Sequence, residues 1–207
     1  MNPNRYHILL LILYAAALAW SAIQPKEYFT WFLEVFPSLI AFVVLLATYK
    51  RFPITNLVYT LILIHSCILF VGGHYTYAEV PLFNWIRDTF HQSRNNYDKV
   101  GHFAQGFIPA IVAREIFIRK HVIPSRRWMN FLIVSVCLAL SAMYEFIEWF
   151  VAVNTGDSAD AFLGTQGYVW DTQSDMLFAA IGAITALLLL SRFHDIQLFP
   201  KADLPNL

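Results

Sequence analysis

Three short spacings carry the chemistry of this chain: Asp98 with His102, Glu145 with Glu148, and Asp171 with Asp175. Residues three or four apart share a helix face, so both members of each pair project the same way. Carboxylates and imidazoles in such pairs, aimed inward from facing helices, are how helix bundles assemble metal sites. Five carboxylates crowded together repel strongly, and several would take up protons unless a cation were present. Lys99 supplies one positive charge. A divalent ion supplies two more, and oxygen-rich ligands with an imidazole suit Mg, Mn or Zn. The expected ligands are Asp98, His102, Glu145 and Asp175. Such an ion activates a water and polarises a phosphoryl or acyl oxygen. Glu148 or Asp171 then serves as general base or as a group that orients a ligand, with Lys99 as the catalytic cation.

These pairs lie far apart in sequence, so long elements must bring them together. The composition says which kind. The 207 residues are 58% hydrophobic and only 14% charged, against about 25% charged in an ordinary soluble domain. That excludes disorder and argues against a soluble globule. Lys+Arg and Asp+Glu are both 14, so no net field attracts nucleic acid. Cys67 and Cys137 sit inside apolar runs, which speaks against a disulfide framework or a zinc knuckle. The fold class is therefore all-α: a polytopic transmembrane bundle forming one integral membrane domain over 1–207, with the lipid bilayer as its partner.

A helix needs roughly 20 apolar residues to cross the hydrocarbon core. Six spans are expected, near 8–23, 31–49, 56–72, 98–118, 129–153 and 171–191, the third ended by Gly72-Gly73. Ala17-Leu18-Ala19 has the form of a signal-cleavage site, but the apolar run is long and five more spans follow. With six spans, Arg5, Lys50, Arg51, Arg119, Lys120, Arg126, Arg127, Arg192 and Lys201 share a side with both termini. Lys26, Arg87, Arg94 and Lys99 lie opposite. Nine against four places the termini in the cytoplasm. The fifth loop, with Asp157, Asp160 and no basic residue, fits the outer face. On this topology His74, the Asp98 group, Glu145-Glu148 and Asp171-Asp175 all reach the outer side, ringed by Trp149, Trp170, Tyr75, Tyr77, Tyr97 and Tyr168.

Blander roles exist for the same residues. Asp98 and Asp171 are placed to cap their helices. His74, after two glycines, reads as a loop residue, and His7 and His65 as structural or interfacial ones. Glu145 and Glu148 lie within an apolar span, where an acid costs roughly 2.5–3.5 kcal/mol. Their plainest alternative is a salt bridge to Lys99 or Arg114.

The segments Tyr97-Asp98-Lys99-Val100-Gly101-His102-Phe103, Tyr144-Glu145-Phe146-Ile147-Glu148-Trp149 and Trp170-Asp171-Thr172-Gln173-Ser174-Asp175-Met176 resemble the YjdF family of bacterial inner-membrane proteins. The resemblance covers essentially the whole chain and implies location in the inner membrane, but no activity. Asp98, Lys99, His102 and Phe103, then Glu145, then Asp175 and Gly182 are more distantly similar to VanZ-like membrane proteins. Where that family has Asn before the last glycine, Ala179 and Ala180 stand here. Where it has Gln after the acidic helix, Phe150 and Val151 stand. The likeness implies a shared architecture.

Three functions follow from a polar site in such a bundle. The first is a metal-assisted hydrolase or transferase acting on a lipid or lipid-linked headgroup at the outer leaflet. The second is a binding or transport protein for a cation or small solute, with Pro109 and Gly72-Gly73 as helix interruptions. The third is an accessory membrane subunit.

Overall fold

A computed structural model describes residues 3–156, 160–163 and 165–199. Asp157 and Lys201, both counted in the charge balance, lie outside them. The described chain is all-helical: α1 Pro3–Ala22, α2 Tyr28–Thr48, α3 Asn56–Tyr75, α4 Pro81–Thr89, α5 Tyr97–Arg119, α6 Arg126–Thr155, the single turn α7 Asp160–Leu163, and α8 Asp171–Leu198. Helices α1, α2, α3, α6 and α8 are long and apolar enough to cross a membrane. The remaining expected span, α5, has 23 residues, ample for the roughly 20 required. Its ionisable residues Asp98, Lys99, Arg114 and Glu115 are all buried against neighbouring helices. Packing by α3, α6 and α8 shields α5 from lipid, which is why hydropathy alone does not pick it out.

The α5–α8 crossing sets the site. A Cβ on Gly106 would lie 1.8 Å from the carbonyl oxygen of Ala179, and one on Gly182 would lie 2.1 Å from that of Phe103. Backbone meets backbone there, the close approach that small residues allow between membrane helices. Ala179, Ala183 and Ala186 continue the thin face of α8. His102 stands one turn from Gly106, and Asp175 one turn from Ala179, so this contact fixes their separation.

The Gly72-Gly73 pair does not end α3, which runs on to Tyr75. The glycines serve packing instead. The Tyr77 ring fills the space a Cβ on Gly72 would need, 2.2 Å away, and also lies 2.7 Å from a Cβ position on Gly101. Helix α5 likewise continues through Pro109. The short amphipathic α4 turns Leu82 and Trp85 outward and holds Phe83 against the Tyr97 ring, as an interfacial helix does. At the start of α2, burial works against ionising Glu27. Hydrogen bonds from Thr30 and Phe29 outweigh it and keep the carboxyl below its usual range.

The opposite end of the bundle is closed by a second polar group. Glu115 accepts hydrogen bonds from the Thr55 N–H (2.9 Å) and hydroxyl (2.8 Å), and from Arg119 (3.0 Å). Arg114 donates to His194 Nδ1 (3.0 Å) and to Asp195 (2.7 Å). A guanidinium only donates, so His194 is a neutral imidazole whose Nε2–H donates to Glu115 (3.1 Å). Arg114 is therefore no partner of Glu145. It lies 16 residues beyond Asp98 on the same helix, about 24 Å at 1.5 Å per residue. Glu115→Ala should cost about 3 kcal/mol, since it strands His194, Arg119 and the Thr55 amide. Arg126→Ala, which removes an exposed pair at 3.6 Å, should cost under about 1 kcal/mol. Reversible unfolding in mild detergent would measure both, and equal losses would contradict the clamp.

Candidate functional site

The loop before α5 is the first part to fall into place. The Asn95 side chain is fully buried; its oxygen accepts from the Tyr97 N–H (3.0 Å) and its amide donates to Val80 O (3.1 Å) and Asn84 Oδ1 (2.9 Å). The backbone of Asn95 exchanges two further bonds with the Gln166 amide, at 3.0 and 2.9 Å. Asn96 stands at the cap position of α5 without a side-chain bond to it, and Asp98 lies inside the first turn and does not cap the helix. Arg94, one residue before Asn95, is carried inward to 6% exposure.

Arg94 meets Asp171 Oδ1 at 2.5 Å and Asp98 Oδ2 at 3.3 Å. Lys99 Nζ lies 2.8 Å from Asp171, 3.1 Å from Asp98 Oδ2 and 2.5 Å from Asp175 Oδ1. Asp171 is thereby an ion-pair partner, with no capping bond from its side chain. The two cations take Oδ2 of Asp98 and leave Oδ1 facing His102 Nε2 at 3.2 Å. Asp175 Oδ1 stands 3.8 Å from the same nitrogen. Asp98, His102 and Asp175 form a buried acidic/His cluster, with one ligand-type atom of each within 4.8 Å of the others.

The other face of the imidazole differs. His102 Nδ1 lies 3.0 Å from Gln105 Oε1 and 4.0 Å from Glu145 Oε1. Both ring nitrogens therefore face acceptor oxygens. A neutral imidazole has one N–H to offer. With that proton directed to Gln105, the contact of Nε2 with the two carboxyl groups needs a second proton, on the ring or on a carboxyl, or a metal ion. His194 shows the contrast, with one donor and one acceptor around its ring.

The seven residues singled out from the sequence divide accordingly. Asp98, His102, Asp175, Lys99 and Asp171 come together. Glu145 joins from the Nδ1 side of the ring, opposite Asp98 and Asp175. Its Oε1 is buried and has no hydrogen-bond partner among the described residues. Glu148 is half-buried and takes part in none of these ion pairs. His74 packs on Trp20 and faces the Ser21 carbonyl, as a structural residue.

Two participants were not singled out. Arg94 was counted as a loop charge, although its spacing to Asp98 repeats the four-residue interval. Glu34, on α2, is 4% exposed and accepts a hydrogen bond from Tyr144 OH at 3.2 Å. The Tyr144 ring stands edge-on to His102, centroids 6.3 Å apart. The signal was there: Thr30, Glu34 and Ser38 form a buried polar stripe, four residues apart, along an apolar helix.

The cluster is open on one side. A cleft of about 640 Å³ beside it is lined by the cations Arg94 and Lys99, by Tyr168, and by the apolar Val100, Phe103 and Phe178. The Tyr168 ring lies 5.6 Å from the Arg94 guanidinium and 5.9 Å from Lys99 Nζ.

An all-helical membrane bundle with a buried ion cluster between two tightly crossed helices is the class of protein these features define. The particular family follows from comparison. Residues 6–196 match the family described as Predicted membrane protein (DUF2238), and the chain belongs to it. It is 51% identical over 181 residues to Inner membrane protein YjdF of Escherichia coli (strain K12), covering 87% of each chain. No solved structure matches. The chain is a multi-pass protein of the bacterial inner membrane, like that relative.

Proposed function

We propose that the chain is a metal-assisted hydrolase or transferase acting on an anionic lipid or lipid-linked headgroup at the outer leaflet. The observation that carries this reading is the buried Asp98, His102 and Asp175 cluster, whose counter-ions Arg94 and Lys99 also line a cleft with apolar residues. A lipid-like substrate needs cations for its headgroup and apolar surface for its chain, and Arg94, Lys99, Phe103 and Phe178 line the one cleft.

Asp98 Oδ1, His102 Nε2 and Asp175 Oδ1 fit a small divalent ion. Bonds of about 2.1 Å in tetrahedral array separate ligand atoms by roughly 3.4 Å, and the two distances to Nε2 are 3.2 and 3.8 Å. Charge favours the same choice. Two cations face three aspartates and Glu145, and a divalent ion would reduce that excess of negative charge while leaving the imidazole neutral. Gln105 then orients the ring by accepting its Nδ1–H at 3.0 Å, as carbonyls do behind metal-bound histidines. Glu148 and Asp171 are the carboxylates left to accept a proton from an activated water. The bound ion would polarise a phosphoryl or acyl oxygen.

The test is turnover in nanodiscs of defined anionic phospholipid, with Mg, Mn or Zn supplied and released headgroups followed by mass spectrometry. The reading expects release that His102→Ala abolishes and His74→Ala leaves unchanged. Release that survives His102→Ala, or none with any of the metals on any anionic headgroup tried, would count against it.

A further inference from the structure

Helices α1 and α2 both pack on α3, and between them lies a cavity of about 450 Å³ lined by none of the residues of the cluster just described. Leu11, Phe42, Leu46 and Leu63 are among its walls. Its polar groups are confined to the two ends. At the rim stand His7, Tyr49 and Tyr59, where His7 Nδ1 accepts from Tyr49 OH at 2.7 Å. At the floor, near the middle of the bundle, stand the hydroxyls of Tyr14, Ser38 and Ser66, all buried.

The floor hydroxyls have used their protons. Tyr14 OH donates to the Ser38 carbonyl (3.3 Å) and Ser66 to the Ile62 carbonyl (2.9 Å). Ser38 Oγ donates to Ser66 Oγ (2.9 Å) or to Tyr14 OH (3.2 Å). Ser38 Oγ, on the cavity lining, therefore accepts a hydrogen bond from neither neighbour. Burying hydroxyls in an apolar setting is costly unless their capacity is met, and ligand pockets of 300–1,000 Å³ pair apolar walls with a few placed polar groups.

We propose that this cavity is a binding site for an apolar small molecule whose buried end carries a hydroxyl. The hydroxyl donates to Ser38 Oγ, and a second polar group reaches the rim. Seven residues of α1 separate His7 from Tyr14, so the two polar ends of the ligand lie about 10 Å apart. Bulk lipid chains fill the walls equally well but bring no donor to Ser38 Oγ, and that difference is what selects the ligand.

Photolabelling in nanodiscs tests this with two probes, a dodecanol bearing a mid-chain diazirine and the corresponding dodecane. Labelled residues are mapped by mass spectrometry. The alcohol should label Leu11, Phe42 and Leu63 about fivefold more than the alkane does, the worth of one hydrogen bond. Ser38→Ala should remove that preference without lowering alkane labelling, and Leu63→Trp should block both probes. Equal labelling by the two probes, or an alcohol preference that survives Ser38→Ala, overturns the proposal. Because no metal or headgroup enters the experiment, its outcome is independent of the His102 cluster.

Discussion

Lys99→Met should cost about 3–5 kcal/mol of stability, the loss expected when one partner leaves a buried ion cluster. Lys99 is the common counter-ion of Asp98, Asp171 and Asp175, all within 3.1 Å of its Nζ. Methionine keeps the stem and removes the charge, so the loss reports electrostatics more than packing. Arg94 cannot compensate, because it already holds Asp171 and Asp98 and stands on a loop fixed through Asn95. The pairing makes a second statement. Adding Asp175→Asn to Lys99→Met should recover at least about 1 kcal/mol, a coupling of the size seen between contacting residues. Added Mn or Zn should stabilise the single variant further, since the uncovered carboxylates gain a substitute cation. Unfolding in detergent with and without metal measures all three. A loss under about 1 kcal/mol, as for a surface pair, would contradict the account.

Gly106→Leu should be the other large effect. The first atom of any side chain there would meet Ala179 O at 1.8 Å, and that atom belongs to backbone. Relief requires α5 and α8 to separate. Overpacking ordinarily costs about 1–3 kcal/mol, and here the same displacement pulls Asp175 away from His102 and Lys99. Stability and the properties of the cluster should therefore fall together in Gly106→Leu and in Gly182→Leu. Leucine at an outward position such as Ile184 should change neither. Gly106→Leu protein with unaltered stability would show that the helices do not meet as closely as described.

The convergence of Asp98, His102, Asp171 and Asp175 was legible because two facts of sequence suffice for it. Helical spacing puts each pair on one face, and hydropathy puts both helix starts at the same end. Arg94 was hidden because a charge outside a span reads as solvated. Only the tertiary bonds of Asn95 with Val80, Asn84 and Gln166 bury it. Glu34 was hidden differently: one acid near a helix start looks like an edge effect until Tyr144 is seen to reach it from α6. Helical spacing is also silent on rotation, so nothing in it could say that Glu145 approaches His102 Nδ1 while Asp98 and Asp175 take Nε2. The continuation of α3 through Gly72-Gly73 went unread for a related reason. Glycine's weak helix propensity argues for an end, and the Tyr77 ring that needs the space comes from a turn beyond the helix.

The proposed function requires a metal ion between His102 Nε2 and its two carboxylates. Metal content of the purified wild-type protein, measured after dialysis against Mg, Mn or Zn, tests it most directly. The account predicts about one tightly held ion per chain, lost in His102→Ala and retained in His74→Ala. Wild-type protein without bound metal, as folded and stable as before, would contradict it and leave a proton, on the ring or on a carboxyl, to hold the contact.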